Sequence, residues 1–355
     1  MPTHVLRTQP ASSEYHQHAK PITERDGERY RCARRAADPD SGCRSSSGLV
    51  MVSCHGHQRV RWTATREGTS RRAGLDSTAV DLHNPHVITT VEFDRVQHLI
   101  RVPVQISGDR YRFLVDTGIG VTVVSSLVAA QVDAQATGDT YTARRMSGQA
   151  ISSPLVRLPP AALGGYTVDR HLACVADLGE VDGPAGFAGI LGLDFFHQHT
   201  ITIDPDTSTL TVQPADSFPG DGYQIPLDLR RDAASVDPFA TLVLPSGRQI
   251  HVEIDTGSAN LILDTRLMPE CGIQPDDPNV TTRTGTDETG HDWTRHWATV
   301  HGDVYLAAAP QTAQTAARVQ FQDIIHDGLV GTDYLHRYRV TIDLSSSRLI
   351  LHPRP

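Results

Sequence analysis

Two aspartates of this chain sit in the same local sequence. Asp116 follows Phe113-Leu114-Val115 and precedes Thr117-Gly118; Asp255 follows Val252-Glu253-Ile254 and precedes Thr256-Gly257. One Asp-Thr-Gly alone is ordinary turn chemistry, because Asp and Gly both favour turns. A pair can do more. Two carboxylates held close together cannot both ionise cheaply, so they keep one proton between them and their titrations split. Such a pair supplies a base and an acid at once: the ionised member takes a proton from water, and the protonated member polarises a carbonyl and later protonates the leaving group.

The elements around each aspartate suit that task. An apolar run, read as a strand, delivers the carboxyl into a turn. Gly118 and Gly257 have no Cβ, so backbone can approach closely and N–H groups can face the carboxylate. Thr117 and Thr256 carry stiff side chains whose hydroxyls can bond backbone across a symmetric interface. The spacing is not accidental. Asp116 to Asp255 is 139 positions (255 − 116), Gly192 to Gly331 is 139 (331 − 192), Asp204 to Asp343 is 139 (343 − 204) and Gly108 to Gly247 is 139 (247 − 108). Four landmarks at one offset make an internal duplication. One copy supplies half a site, and two copies supply a pair.

Each copy reads as short strands. Leu99 to Gly118 gives two β-rich runs around Ser-Gly-Asp, and Thr241 to Gly257 gives two more around Ser-Gly, both hairpin signals. Ile190-Leu191-Gly192-Leu193-Asp194 and Leu329-Val330-Gly331-Thr332-Asp333 each lead into a short helix, with Asp194 and Asp333 as its cap. Asp204 and Asp343 read as turn residues at strand ends. The Pro-, Gly- and Asp-rich stretch Gln213 to Tyr223 separates the copies. The expected division is residues 1–86 as a basic extension of low order, 87–215 as a first lobe and 216–355 as a second. Residues 1–85 hold 13 Lys or Arg against 9 Asp or Glu, a net of +4, so the remainder carries −13 of the total −9. They could be a propeptide.

Composition narrows the function. A net charge of −9 argues against a nucleic-acid partner. No run reaches the roughly 18 apolar residues of a membrane span. With no apolar leader, the first residues do not read as a signal peptide, and a cytoplasmic location follows. The five cysteines, Cys32, Cys43, Cys54, Cys174 and Cys271, lack the spacing of a disulfide framework or of a structural zinc site. The His-x-His pairs His16/His18, His55/His57 and His197/His199 are read as non-metal, and no cofactor is expected. Gly118-x-Gly120 has Val123 where a dinucleotide fingerprint needs its third glycine.

The runs LVDTGIG and EIDTGSA, with ILGLDFF and LVGTDYL downstream, resemble the aspartic peptidases of the pepsin and retropepsin type over roughly residues 95–352. The resemblance implies a mainly β, bilobal fold of two pseudo-twofold-related lobes with short helices. It implies a monomeric endopeptidase acting on protein or peptide. Asp116 and Asp255 would be the catalytic pair; Thr117, Gly118, Thr256, Gly257 and Ser258 would support the loops. A catalytically inactive peptide-binding relative is the alternative. Ser258 fits the family pattern after Asp-Thr-Gly, whereas Ile119 does not. Lacking a hydroxyl at Ile119, Asp116 should be the more readily protonated member. The resemblance also implies a hairpin closing over bound peptide, for which residues 139–153 and 283–297 are the candidates.

Overall fold

The computed structural model describes residues 88–179, 186–197, 199–215, 220–232, 234–274, 276–286 and 291–354. The expectations for residues 1–86, with Cys32, Cys43, Cys54 and the histidines of that stretch, lie outside the described residues. Within them the chain is mainly β, in two large sheets and one smaller one.

The first large sheet runs in the order Gln135–Arg144, Ala150–Arg157, Leu172–Ala176, Val123–Ser125, Gly189–Leu191, Asp109–Val115, Leu99–Ile106, Ala161–Leu163, Tyr166–Val168, with Asp94–Val96 added on Leu99–Ile106. The second repeats that order strand for strand: Thr281–Thr286, Asp292–Thr299, Arg318–Gln322, Leu261–Asp264, Gly328–Val330, Gln249–Ile254, Ser235–Val243, Asp303–Leu306, Gln314–Thr315, with Asp228–Asp232 added on Ser235–Val243. This is the duplicated, bilobal β fold that the matched spacing implies.

Alternation builds each lobe. Phe113 and Val115 point into the main core, and so do Val252 and Ile254. Leu114 faces the other side of its sheet, into a smaller apolar cluster with Leu99, Ile119, Val121 and Ile190. Ser107 at φ 52 and Gly108 at φ 93 form the two-residue turn between Leu99–Ile106 and Asp109–Val115. Positive φ at both central positions matches the right-handed twist of the flanking strands.

The third sheet joins the lobes. Thr89–Glu92, Thr209–Gln213 and Thr200–Asp204 lie beside Tyr338–Asp343, Arg348–Pro353 and Tyr223–Pro226. At its centre Thr202 pairs with Thr341, and their hydroxyls bond at 2.9 Å. These residues are 139 apart (341 − 202), so a pseudo-twofold axis passes between them. The offset slips elsewhere. Val212 pairs with Thr89 and its counterpart Leu351 with Tyr223, a shift of 134 (223 − 89). Most of the difference lies in one turn. Val96↔Leu99 corresponds to Arg230↔Asp237, which encloses four more residues.

The helices depart from expectation. Leu193–Phe196 is a 3₁₀ turn capped by Gly192, and Thr332–Leu335 is one α turn capped by Gly331. Neither cap makes a side-chain bond. Asp194 and Asp333 therefore lie inside their helices and are not caps. A side-chain cap is found instead on a helix the spacing did not reveal, Ser126–Gln131, where Ser125 Oγ accepts the Val128 N–H at 3.1 Å. Asp204 and Asp343 are turn residues: each accepts backbone N–H groups two and three residues on.

Candidate active site

The strands Asp109–Val115 and Gln249–Ile254 end at the pseudo-twofold axis, and their aspartates meet there. Asp116 is 1% and Asp255 5% exposed. Within each loop the glycine N–H returns to its own carboxylate: Gly118 N–H to Asp116 Oδ1 at 2.9 Å and Gly257 N–H to Asp255 Oδ1 at 2.7 Å. Between the loops the approach leaves no room for a side chain on either glycine. A Cβ on Gly257 would stand 2.4 Å from Asp116 Cγ, and one on Gly118 would stand 2.8 Å from Asp255 Cγ. Each glycine faces the other lobe's carboxyl.

The threonines lock the two loops together. Thr117 Oγ1 donates to the Ile254 carbonyl at 2.5 Å and accepts the Thr256 N–H at 3.1 Å. Thr256 Oγ1 donates to the Val115 carbonyl at 3.1 Å and accepts the Thr117 N–H at 3.1 Å. Both threonines are fully buried. The segments Gly189–Leu191 and Gly328–Val330 fix the loops from behind. Each runs parallel to its aspartate-bearing strand, and the Leu191 and Val330 carbonyls accept the N–H of Asp116 and Asp255 at 3.0 Å.

This geometry decides the titration of Asp116. Burial pushes its carboxyl well above the usual carboxylate range. The neighbouring Asp255 adds to that push through its charge and a carboxyl–carboxyl hydrogen bond; the Gly118 N–H opposes it, and Glu253 adds a smaller repulsion. Two carboxyl groups sharing a hydrogen bond need a proton between them, so the pair holds one. The buried thiols of Cys174 and Cys271 are pushed up to about 12, chiefly by burial, and stay protonated at neutral pH.

Residues 102–195 match the family model for aspartyl proteases. Over those residues the chain is of the aspartyl-protease type. It is also similar to the crystal structure of aspartic proteinase from Irpex lacteus, at 16% identity and a TM-score of 0.45, over 75% of this chain and 97% of that one. The comparison with curated proteins gives no match. The strand order and the facing Asp-Thr-Gly loops carry the protease-type architecture into the second lobe, beyond the residues of the family match.

Several groups of this protease-type site escape a reading of the sequence. Asp194 fastens the loop after Asp116 sideways: its carboxylate accepts the Thr122 N–H at 3.0 Å and the Thr122 hydroxyl at 2.8 Å, with His171 Nε2 at 3.2 Å. His98, from the first lobe, reaches the second loop, with Nε2 3.0 Å from the Gly257 carbonyl. A carbonyl only accepts, so Nε2 carries the hydrogen. From the second lobe, the Val236 N–H donates to the Gly120 carbonyl at 3.0 Å. Each lobe thus supports the other's loop. His98 also lies near Asp333, whose carboxyl burial raises and His98 partly draws back down.

Ser258 is half-buried, and its carbonyl accepts the Thr332 N–H at 2.8 Å. Ile119 is fully buried in the apolar cluster. The segment 139–153 is a hairpin of Gln135–Arg144 and Ala150–Arg157. Its tip reaches the second lobe, where the Ile325 N–H donates to the Met146 carbonyl at 3.0 Å. The segment 283–297 is the matching hairpin of Thr281–Thr286 and Asp292–Thr299. Among the described residues no cluster of His, Cys, Asp and Glu could hold a metal, and no helix is long and apolar enough to cross a membrane.

Proposed function

We propose that the protein is an aspartic endopeptidase that cleaves peptide bonds as a single chain, with Asp116 and Asp255 as its catalytic pair. The observation that carries this reading is the close approach of two buried carboxyls across the pseudo-twofold axis, sharing a hydrogen bond while Asp116 holds its proton above the ordinary range. In that state one carboxyl is a base and the other an acid. The ionised carboxyl takes a proton from a water as the oxygen attacks the peptide carbonyl carbon. The protonated carboxyl bonds the carbonyl oxygen as charge develops there. Collapse of the tetrahedral intermediate breaks the C–N bond, and the leaving amine takes up a proton from the pair. Thr117 and Thr256 keep the carboxyls in register, and Gly118 and Gly257 give them the space to face each other.

The experiment is a digest of a peptide library by the wild-type protein beside Asp116→Asn and Asp255→Asn. Either substitution is expected to abolish cleavage, and a pepstatin-like transition-state mimic to inhibit the wild type. Cleavage at the wild-type rate by Asp116→Asn sinks the reading.

A further inference from the structure

The two aspartate-bearing loops start alike and are pinned differently further on. The Leu191 and Val330 carbonyls hold the N–H of Asp116 and Asp255. In the second lobe backbone also pins the rest, for the Thr332 and Asp333 N–H groups donate to the Ser258 and Ala259 carbonyls, both at 2.8 Å. Among the described residues no such bonds run from Leu193 and Asp194 to Ile119 and Gly120, and the Gly120 carbonyl takes the Val236 N–H instead. A side chain takes that part in the first lobe. The Asp194 carboxylate accepts the Thr122 N–H and hydroxyl, and the Thr122 hydroxyl oxygen accepts the Gly192 N–H at 3.2 Å. Residues 191–194 thus grip both ends of residues 116–122.

His171 stands behind that grip. Its Nε2 lies 3.2 Å from Asp194 Oδ2, and the two side chains are 5% and 8% exposed. A carboxylate buried to that degree is costly unless donors face it. Thr122 supplies donors on one side, and the imidazole faces another. The charge at Asp194 also reaches Cys174, whose thiol burial first and Asp194 second push up to about 12. The ring itself is held: it meets the Phe195 ring edge-on at 5.2 Å between centroids and the His197 ring at 6.0 Å, and the His171 carbonyl accepts the Leu158 N–H at 2.8 Å. The second lobe is built otherwise. The duplication carries Thr122 to Leu261 (122 + 139) and Asp194 to Asp333 (194 + 139), which is exposed. Cys174 pairs with Val123 as Gln320 pairs with Ile262 (123 + 139), so three residues earlier His171 corresponds to Ala317. Leucine and alanine offer neither a hydroxyl nor a ring nitrogen.

We infer that His171 is a positioning residue for the reaction at Asp116: it holds the Asp194 carboxylate against Thr122 and so fixes the first catalytic loop, and only that loop. This rests on the peptidase reading above and adds a residue to its site. A carboxylate only accepts, so Nε2 carries the hydrogen. Without the imidazole, Asp194 can turn away from Thr122, and residues 116–122 lose their grip at one end. Asp116 then keeps its chemistry but not its place opposite Asp255. A misplacement of about 1 Å, caused far from the reacting atoms, can cost on the order of a hundredfold in rate.

The test measures kcat and KM of the full-length protein on a peptide cleaved in the library digest. His171→Leu should lower kcat by at least tenfold and leave KM within twofold, because the chemical step depends on where Asp116 stands. His171→Gln, whose amide offers an N–H at similar reach, should recover kcat, and the shorter His171→Asn should not; these two variants decide the matter if the Leu variant does not fold. Combining His171→Leu with Thr122→Val should cost no more than the larger single loss, because both break one chain of contacts. Wild-type kcat in His171→Leu or His171→Asn, a loss that Gln does not restore, or losses that multiply in the double variant overturns the inference and leaves the peptidase intact. No cleavage by the wild type instead rejects the peptidase, and with it the reaction that His171 would serve.

Discussion

Replacing Thr117 by Val exchanges a hydroxyl for a methyl at nearly constant volume, at a fully buried position. The change removes two bonds between the lobes: the hydroxyl no longer donates to the Ile254 carbonyl or accepts the Thr256 N–H. Both groups stay in place, now without that partner. Leaving a buried polar group unsatisfied costs about 1–3 kcal/mol, so two cost about 2–6 kcal/mol. The added methyl recovers about 1 kcal/mol as buried apolar surface. A net loss of about 3 kcal/mol is expected. A domain of this size loses roughly 2–4 °C of melting temperature per kcal/mol, which makes the drop about 6–12 °C. Thermal unfolding followed by circular dichroism measures it, with Thr117→Ser as the control that keeps the hydroxyl. Thr256→Val should match Thr117→Val, because the axis relates their bonds. A Val variant that melts within 1 °C of the Ser variant would refute the claim that these hydroxyls hold the lobes together.

Three further outcomes follow from the same geometry. Because folding raises the Asp116 pKa, the fold loses stability as pH rises from the ordinary aspartate value of 3.8 towards the folded one; Asp116→Asn should therefore leave stability unchanged below that value and raise it at neutral pH, by about 1.4 kcal/mol per pKa unit, and a pH-independent difference in urea midpoints counts against the raised pKa. Gly257→Ala should displace the Asp116 carboxyl outright and Gly118→Ala should strain the Asp255 carboxyl less, since the added Cβ stands 2.4 Å from one Cγ and 2.8 Å from the other; equal affinities of the two variants for a pepstatin-like mimic would contradict that order. His98→Leu should lower kcat and leave KM unchanged by freeing the Gly257 carbonyl, and His98→Gln, which offers an N–H at the same reach, should restore it; a loss that Gln does not restore makes His98 a packing residue only.

What the sequence discloses here divides along the reach of each interaction. The strands, the hairpins and the doubled architecture were legible because their signals are local: alternation, Gly-containing turns and landmarks at one offset. Asp116 and Asp255 were legible because duplication predicts which residues a twofold axis brings together. His98 was not: its bond to Gly257 spans 159 positions and crosses the axis, so no spacing within one copy points to it. The helix-cap expectation for Asp194 failed for a related reason. A first-turn position looks the same in sequence whether the carboxylate turns to the helix N–H groups or sideways to Thr122, and the packing of Val123–Ser125 against Gly189–Leu191 decides it.

The second lobe follows the same logic with a different lesson. Glu253 stands in an apolar strand between Val252 and Ile254, yet it is as buried as Leu114. Only the sheet register reveals the equivalence: Leu114 pairs with Arg101 where Glu253 pairs with Phe239. Here the bonds that hold the two aspartates and threonines keep the symmetry, while the side chains behind them diverge, Leu114 in the first lobe against Glu253 in the second.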